Sequence, residues 1–183
     1  LDAGYNSLLG GNIGIPFSNN VLIEINSKKK NTVHVLELSS FQIESLKKFK
    51  SKISCILNIS EDHLDRYKSM DLYINAKLKI IDFSDIILFD DSDLILSEKI
   101  NKTDTIKEIN SNSSVFKIVD SSIYNNVSKR SLFSLEDMNF IGHHNLLNAL
   151  GACTISNLYG VCDDSIIKTM KNIEPLSHRL AFI

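Results

Sequence analysis

Five chargeable side chains crowd the stretch Leu57-Asn58-Ile59-Ser60-Glu61-Asp62-His63-Leu64-Asp65-Arg66-Tyr67: Glu61, Asp62, His63, Asp65 and Arg66. They follow directly on an apolar run, 52–58, that reads as a strand buried on both faces. In open α/β sheets ligands gather outside the carboxyl ends of the strands. His63 can ligate a metal through one ring nitrogen while a carboxylate orients the other. The same stretch also reads as a short helix with Ser60 at its N-cap and acidic residues in the first turn. Spacing alone does not separate the two readings.

A second site candidate is Leu36-Glu37-Leu38-Ser39-Ser40-Phe41-Gln42. Glu37 interrupts an apolar strand at its end, where a buried carboxylate costs desolvation energy without a partner. Mg²⁺, which takes one or two carboxylates together with substrate phosphates, is such a partner. Ser39 or Ser40 also suits the N-cap of the next helix. Gly10-Gly11-Asn12-Ile13-Gly14-Ile15-Pro16 permits a tight strand-to-helix turn, with Pro16 in the first helical turn and backbone N–H groups able to meet an anion. Lys77 lies four residues after Tyr73 and shares its helix face; taken alone it is a solvated lysine. Asn145 and Asn148 point the same way near a helix start, where their amides can reach a nucleotide base or Asn145 can act as a cap. His178-Arg179 has the chemistry of a phosphate clamp.

The elements that must position these groups alternate. Strands are predicted over 32–38, 52–58 and 85–90, and helices over 41–47 and 70–83, the latter with Leu72, Tyr73, Ala76, Ile80 and Ile81 mostly on one face. This predicts an α/β fold, a mostly parallel sheet flanked by helices. The region 113–140 differs: strand-like runs at 114–119 and 130–134 with turn-prone Asp120-Ser121 and Asn125-Asn126 between them predict a small antiparallel sheet. A helix over 145–159 ends at Gly160, and Asp163-Asp164-Ser165 caps a last helix to 172.

The 183 residues suffice for a domain with its own core. With 43% hydrophobic and 23% charged residues and a net charge of −2, the composition points to neither nucleic acid nor an anionic membrane. Lys28-Lys29-Lys30, the basic cluster, reads as a solvated loop. No apolar run approaches the ~20 residues of a membrane helix. Cys55, Cys153 and Cys162 lack metal-like spacing; Cys55 and Cys153 sit inside apolar runs and are read as reduced, buried thiols of a cytoplasmic protein.

Order and spacing say more than any single motif. Gly-Gly-Asn-Ile-Gly, then Leu-Glu-Leu-Ser-Ser-Phe-Gln-Ile-Glu, Leu-Asn-Ile-Ser-Glu-Asp-His-Leu-Asp-Arg-Tyr, Ala-Lys-Leu-Lys-Ile, Gly-His-His-Asn-Leu-Leu-Asn-Ala-Leu and Ser-His-Arg together resemble the Mur ligase family over about 4–179. The resemblance implies a P-loop NTPase-like central domain spanning 1–183 and an ATP-dependent amide ligation. In that chemistry ATP phosphorylates a substrate carboxylate, and an amine attacks the acyl phosphate. The Ser-Ser-Phe-Gln and Glu-Asp-His-Leu-Asp-Arg-Tyr wording is similar to the branch that adds D-glutamate to UDP-N-acetylmuramoyl-L-alanine in peptidoglycan synthesis. By resemblance, Glu37 holds one Mg²⁺ and His63 a second, and Lys77 is carbamylated and joins the metal site. His63 and Lys77 are then the catalytic residues; Asn12, Ser39 and Gln42 bind the muramoyl substrate, and Asn145, Asn148 and Arg179 bind ATP. A full-length protein of this kind is expected to be a monomer.

The family's Gly-x-x-Gly-Lys-Ser/Thr phosphate loop does not occur in these residues and is expected to lie before Leu1. Its uridine-nucleotide domain and its C-terminal domain are likewise expected outside 1–183. The chain by itself is therefore expected not to catalyse the ligation. The alternative is a standalone nucleotide-binding module without ligase chemistry, while a scaffold without a site leaves Glu37, His63 and Lys77 unexplained together.

Overall fold

The computed structural model describes residues 3–101, 103, 105–138 and 142–173. They form two compact units: Leu1–Lys50 with Glu61–Phe83, and Ser51–Ser60 with Ser84–Ile183.

In the first unit, β1 (Asn6–Gly11) pairs in parallel with β2 (Thr32–Glu37), in register from Asn6 opposite Thr32 to Gly11 opposite Glu37. The crossover is α1 (Phe17–Ser27). Its fully buried Asn20 donates from Nδ2 to the Leu9 carbonyl at 3.0 Å, which fastens the helix to β1. Next come α2 (Ser40–Glu44), α3 (Leu64–Tyr67) and α4 (Met70–Leu78). Ser69 caps α4 by accepting from the Leu72 N–H. The single helix predicted over 70–83 is in fact α4 followed by a tighter 3₁₀ segment, Lys79–Phe83. Its buried side chains are Tyr73, Ile74, Ala76 and Ile80. Leu72, expected inside, is 53% exposed, because it falls on the flank of the stripe that those residues define.

In the second unit, β3 (Ser51–Ile56), β4 (Ser84–Asp90) and β5 (Ile106–Ile109) form a parallel sheet in that order. Between β4 and β5 lies α5 (Leu94–Lys99), capped by Asp93, which accepts from the N–H groups of Ile95 and Leu96. The second Asp93 oxygen accepts from the Ile59 N–H at 3.0 Å and so holds the loop that leaves β3. The strands β6 (Phe116–Val119), β7 (Ser122–Asn125) and β8 (Arg130–Ser134) form the small antiparallel sheet expected of this region. Asp120 and Ser121 both have positive φ, as a two-residue hairpin turn of the primed type requires.

The helix α6 (His143–Leu158) buries Leu146, Ala149, Leu150 and Cys153, a spacing of three and four residues, among Leu88, Ile109, Phe116 and Ile123. At its end the Gly160 N–H bonds the Asn157 carbonyl and the Val161 N–H bonds the Ser156 carbonyl, with Gly160 left-handed. This is the Schellman closure foreseen at Gly160. The last helix, α7 (Asp163–Asn172), begins earlier than predicted. Cys162 occupies its N-cap, and Asp163 and Asp164 complement the dipole from the first turn instead of capping it. Among the described residues no helix is long and apolar enough to cross a membrane.

The cysteines divide. Cys153 is buried and Cys55 half-buried. Burial pushes both thiols up to about 12, helped by Asp163 and Asp90 respectively. Cys162 is exposed, and the Ser165 side chain 3.4 Å from its sulfur leads the contacts that hold its thiol below the ordinary value. Iodoacetamide at neutral pH is therefore expected to alkylate Cys162 in the native protein, and Cys55 and Cys153 only after unfolding. Peptide mass spectrometry reads the difference; equal native labelling of all three would contradict the assignment.

Candidate active site

The first unit carries six of the predicted site residues. The turn after β1 brings two of them together. Gly11 has φ +108°, and a Cβ there would collide with the Glu37 carbonyl oxygen and stand 3.2 Å from both the nitrogen and the carbonyl carbon of Glu37. That closeness lets the Asn12 N–H donate to the same carbonyl at 2.7 Å. The Asn12 side chain then donates from Nδ2 to Glu37 Oε1 at 3.1 Å. Glu37 is exposed, so the desolvation argument made from its apolar strand does not hold: the face of β2 with Val35 and Glu37 is open to solvent. What orients the carboxylate is Asn12. Pro16 stands at the N-cap of α1, one position before the first helical turn.

Ser39 and Gln42 satisfy one another. The Ser39 hydroxyl accepts from the Gln42 N–H at 3.3 Å, and Gln42 Oε1 accepts from the Ser39 N–H at 2.9 Å. This capping box starts α2 immediately after β2. Ser40, the other capping candidate, is buried.

His63 is the N-cap of α3 in place of Ser60, with left-handed backbone at φ 52°. Histidine is among the side chains that tolerate this region. Its carbonyl accepts from Arg66 and Tyr67, its N–H donates to Asp62 Oδ1 at 2.8 Å, and its Nε2 lies 3.4 Å from Asp62 Oδ2. The ring, 44% exposed, packs against Phe41 at 5.0 Å and edge-on to the buried Tyr73 at 6.2 Å. Lys77, half-buried, places Nζ 4.8 Å from the centre of the same Tyr73 ring, as their four-residue spacing foresaw. His63 and Lys77 thus each approach the same aromatic side chain.

Sequence reasoning missed the aromatic wall of Phe41, Tyr67 and Tyr73, and Glu44, whose carboxylate accepts from the Tyr67 hydroxyl at 3.0 Å. The aromatic residues are visible in the sequence, but the stacking of Phe41 on Tyr67 and the bond from Tyr67 to Glu44 join segments more than 20 residues apart.

Among the described residues no group of three or more His, Cys, Asp and Glu side chains is arranged to hold a metal. Mg²⁺ takes few protein ligands and completes its shell with water and phosphate oxygens. Glu37, exposed and with one oxygen engaged by Asn12, offers the hard oxygen such an ion needs.

In the second unit, Asn145 and Asn148 lie in the first two turns of α6. The N-cap is Gly142, so Asn145 is not the cap; it is half-buried and Asn148 exposed. Arg179 lies outside the described residues.

Residues 11–156 match the Mur ligase middle domain. Over 99% of its length the chain is 32% identical to UDP-N-acetylmuramoylalanine–D-glutamate ligase of Alkaliphilus metalliredigens, and over 94% it is 36% identical to the enzyme of that name from Caldicellulosiruptor bescii. It spans 41% and 39% of those two proteins. Its fold is similar to a solved UDP-N-acetylmuramoyl-L-alanyl-D-glutamate–2,6-diaminopimelate ligase, with a TM-score of 0.66 at 18% identity over 90% of this chain and 37% of that one. A likeness of fold also extends to the UDP-N-acetylmuramate-alanine ligase of Thermotoga maritima, at a TM-score of 0.59, 15% identity, and 98% and 47% coverage.

Proposed function

Because the chain belongs to the Mur ligase family, we propose that it is the ATP-handling middle domain of a cytoplasmic ligase that joins D-glutamate to UDP-N-acetylmuramoyl-L-alanine. The observation that carries this reading is the bond of Asn12 to Glu37 and the approach of both His63 and Lys77 to the Tyr73 ring, all within one unit. The names of the relatives supply the D-glutamate specificity.

In the reaction the muramoyl-alanine carboxylate takes the γ-phosphoryl group of ATP, releasing ADP. The D-glutamate amine then attacks the acyl phosphate, forms the amide, and releases phosphate and a proton. Each step opposes anions, so cationic or metal stabilisation of developing charge is the main catalytic need. Glu37 would hold one Mg²⁺ and His63 a second, with carbamylated Lys77 joining the metal site; the ions neutralise phosphate charge when bound. Asn12 keeps the Glu37 carboxylate aimed. Carbamylation takes one proton from the Lys77 ammonium to free the amine, forms an N–C bond between Nζ and CO₂ with loss of a second proton, and so turns a cation into a carboxylate. Ser39 and Gln42, at the start of α2, are assigned to the muramoyl substrate, and Asn145, Asn148 and Arg179 to ATP.

The test is phosphate release by the protein that carries this chain together with the flanking segments its relatives have. Release is expected only with ATP, UDP-N-acetylmuramoyl-L-alanine and D-glutamate all present, and none is expected from the 183-residue chain alone. Equal release with D-glutamate replaced by another amino acid would overturn the specificity, and turnover by the chain alone would overturn its assignment as one part of the site.

A further inference from the structure

His63 has few constraints of its own. Its side chain is 44% exposed, its backbone stands outside the helix it begins, and its ring is held by Phe41, by Tyr73 and by Asp62, whose Oδ2 lies 3.4 Å from Nε2. Phe41 in turn needs a fixed position. It stacks on Tyr67 at 5.8 Å with the planes 10° apart, and the Arg66 guanidinium lies 4.5 Å from its ring centre. Both neighbours on α3 end at the same oxygen: Glu44 Oε2 accepts from the Tyr67 hydroxyl at 3.0 Å and from Arg66 NH2 at 3.4 Å. Glu44 is the last residue of α2, and the Lys79 ammonium donates to its carbonyl at 2.6 Å. Tyr67 is buried, so its hydroxyl needs a partner and Glu44 supplies one. The ion pair with Arg66 is exposed on both sides and by itself holds little. Its consequence is geometric: it spreads the guanidinium over the Phe41 face.

We propose that Glu44 is a positioning residue for His63, acting through Tyr67 and Arg66 on Phe41. The carboxylate ties α3 to the end of α2, the tie fixes the Phe41 ring, and the ring sets where the imidazole sits. This rests on the ligase reading only for its catalytic consequence; the structural chain from Glu44 to His63 is independent of it.

The experiment uses the full-length protein with ring-labelled histidine, the His63 signals being identified by their loss in His63→Gln. The variants are Glu44→Ala, Glu44→Gln, Tyr67→Phe and Phe41→Leu. Glu44→Ala is expected to move the His63 ring resonances about as far as Phe41→Leu does, since both remove or release the same aromatic neighbour. Glu44→Gln keeps an oxygen acceptor for Tyr67 and is expected to leave the resonances near wild type. In the ligase assay Glu44→Ala is expected to lower kcat by about 10- to 100-fold with KM for ATP little changed, the size of effect that a displacement of about 1 Å produces. Glu44→Gln is expected to recover most of that loss. His63 resonances at wild-type positions in Glu44→Ala, with those of Phe41→Leu moved, would overturn the proposal. If Glu44→Ala does not fold, Tyr67→Phe decides: it keeps the ring and removes the hydroxyl with its bonds to Glu44 and Ser40, and unmoved His63 signals there overturn the proposal equally. Moved signals with unchanged kcat would overturn the catalytic consequence. A wild-type protein without ligase activity would sink the functional reading while the resonances still judge the positioning.

Discussion

Replacing Lys77 by alanine is expected to lower ligase turnover by about 10²–10³-fold, the usual cost of removing one preorganised charge at a reacting phosphate. Replacing it by arginine is expected to be no better. The two substitutions together separate the roles open to this side chain. As a cation, Lys77 could stand over the Tyr73 ring and stabilise phosphate directly, and arginine would keep both properties. As a carbamate it must carry a nucleophilic amine, which a guanidinium that stays protonated cannot offer. Turnover of the unmodified protein is also expected to fall when CO₂ is stripped from the buffer and to return with bicarbonate. Stability is a poor explanation for either loss. Lys77→Ala gives up one cation–π contact of about 0.5–1 kcal/mol, too little to unfold a domain. Near-normal turnover in Lys77→Arg, without CO₂ dependence, would return Lys77 to the role of a plain cation.

The parts of this molecule that the sequence reveals are those set by neighbours in the chain. The β-branched apolar run through Val33 and Val35 is a strand, Gly160 closes α6, and Asp120-Ser121 turns a hairpin, each for a local reason. Lys77 and Tyr73 share a face because a helix puts residues four apart together. What was not legible depends on distant partners. The strand β5 has four residues, two of them Lys107 and Glu108, and exists because Ile106 and Ile109 complete the sheet beside β4. Ser60 is the better N-cap by residue type, yet α3 starts three residues later at a left-handed His63. Glu37 seemed to need a cation for relief from burial, whereas it is exposed and bonded to a residue 25 positions earlier. The order of the motifs pointed to the family, and composition did not: a net charge of −2 and ordinary hydrophobicity fit countless unrelated domains.

Gly11→Ala is expected to destabilise the fold by about 2–6 kcal/mol and to remove most ligase activity even in molecules that stay folded. Two independent costs meet at this position. A backbone at φ +108° lies where a side chain other than glycine costs about 1–3 kcal/mol. The added methyl group also overlaps the Glu37 carbonyl oxygen, and forcing such a fit costs about 1–3 kcal/mol more. The obstacle is main chain, so no side-chain rotation relieves it. Either the turn after β1 or the end of β2 must move, and both outcomes break the 2.7 Å bond from the Asn12 N–H to the Glu37 carbonyl. The side-chain bond from Asn12 to Glu37 Oε1 depends on that same approach, so the carboxylate loses its aim together with its support. Asn12→Ala provides the comparison. It removes the side-chain bond on an exposed surface and leaves the main-chain bond, so it is expected to lower activity with little change in stability. Urea unfolding midpoints and kcat, measured on the two variants side by side, separate the effects. A Gly11→Ala protein as stable and as active as wild type would show that the turn can be rebuilt without moving Glu37, and that the close approach of the two strand ends is dispensable to the site.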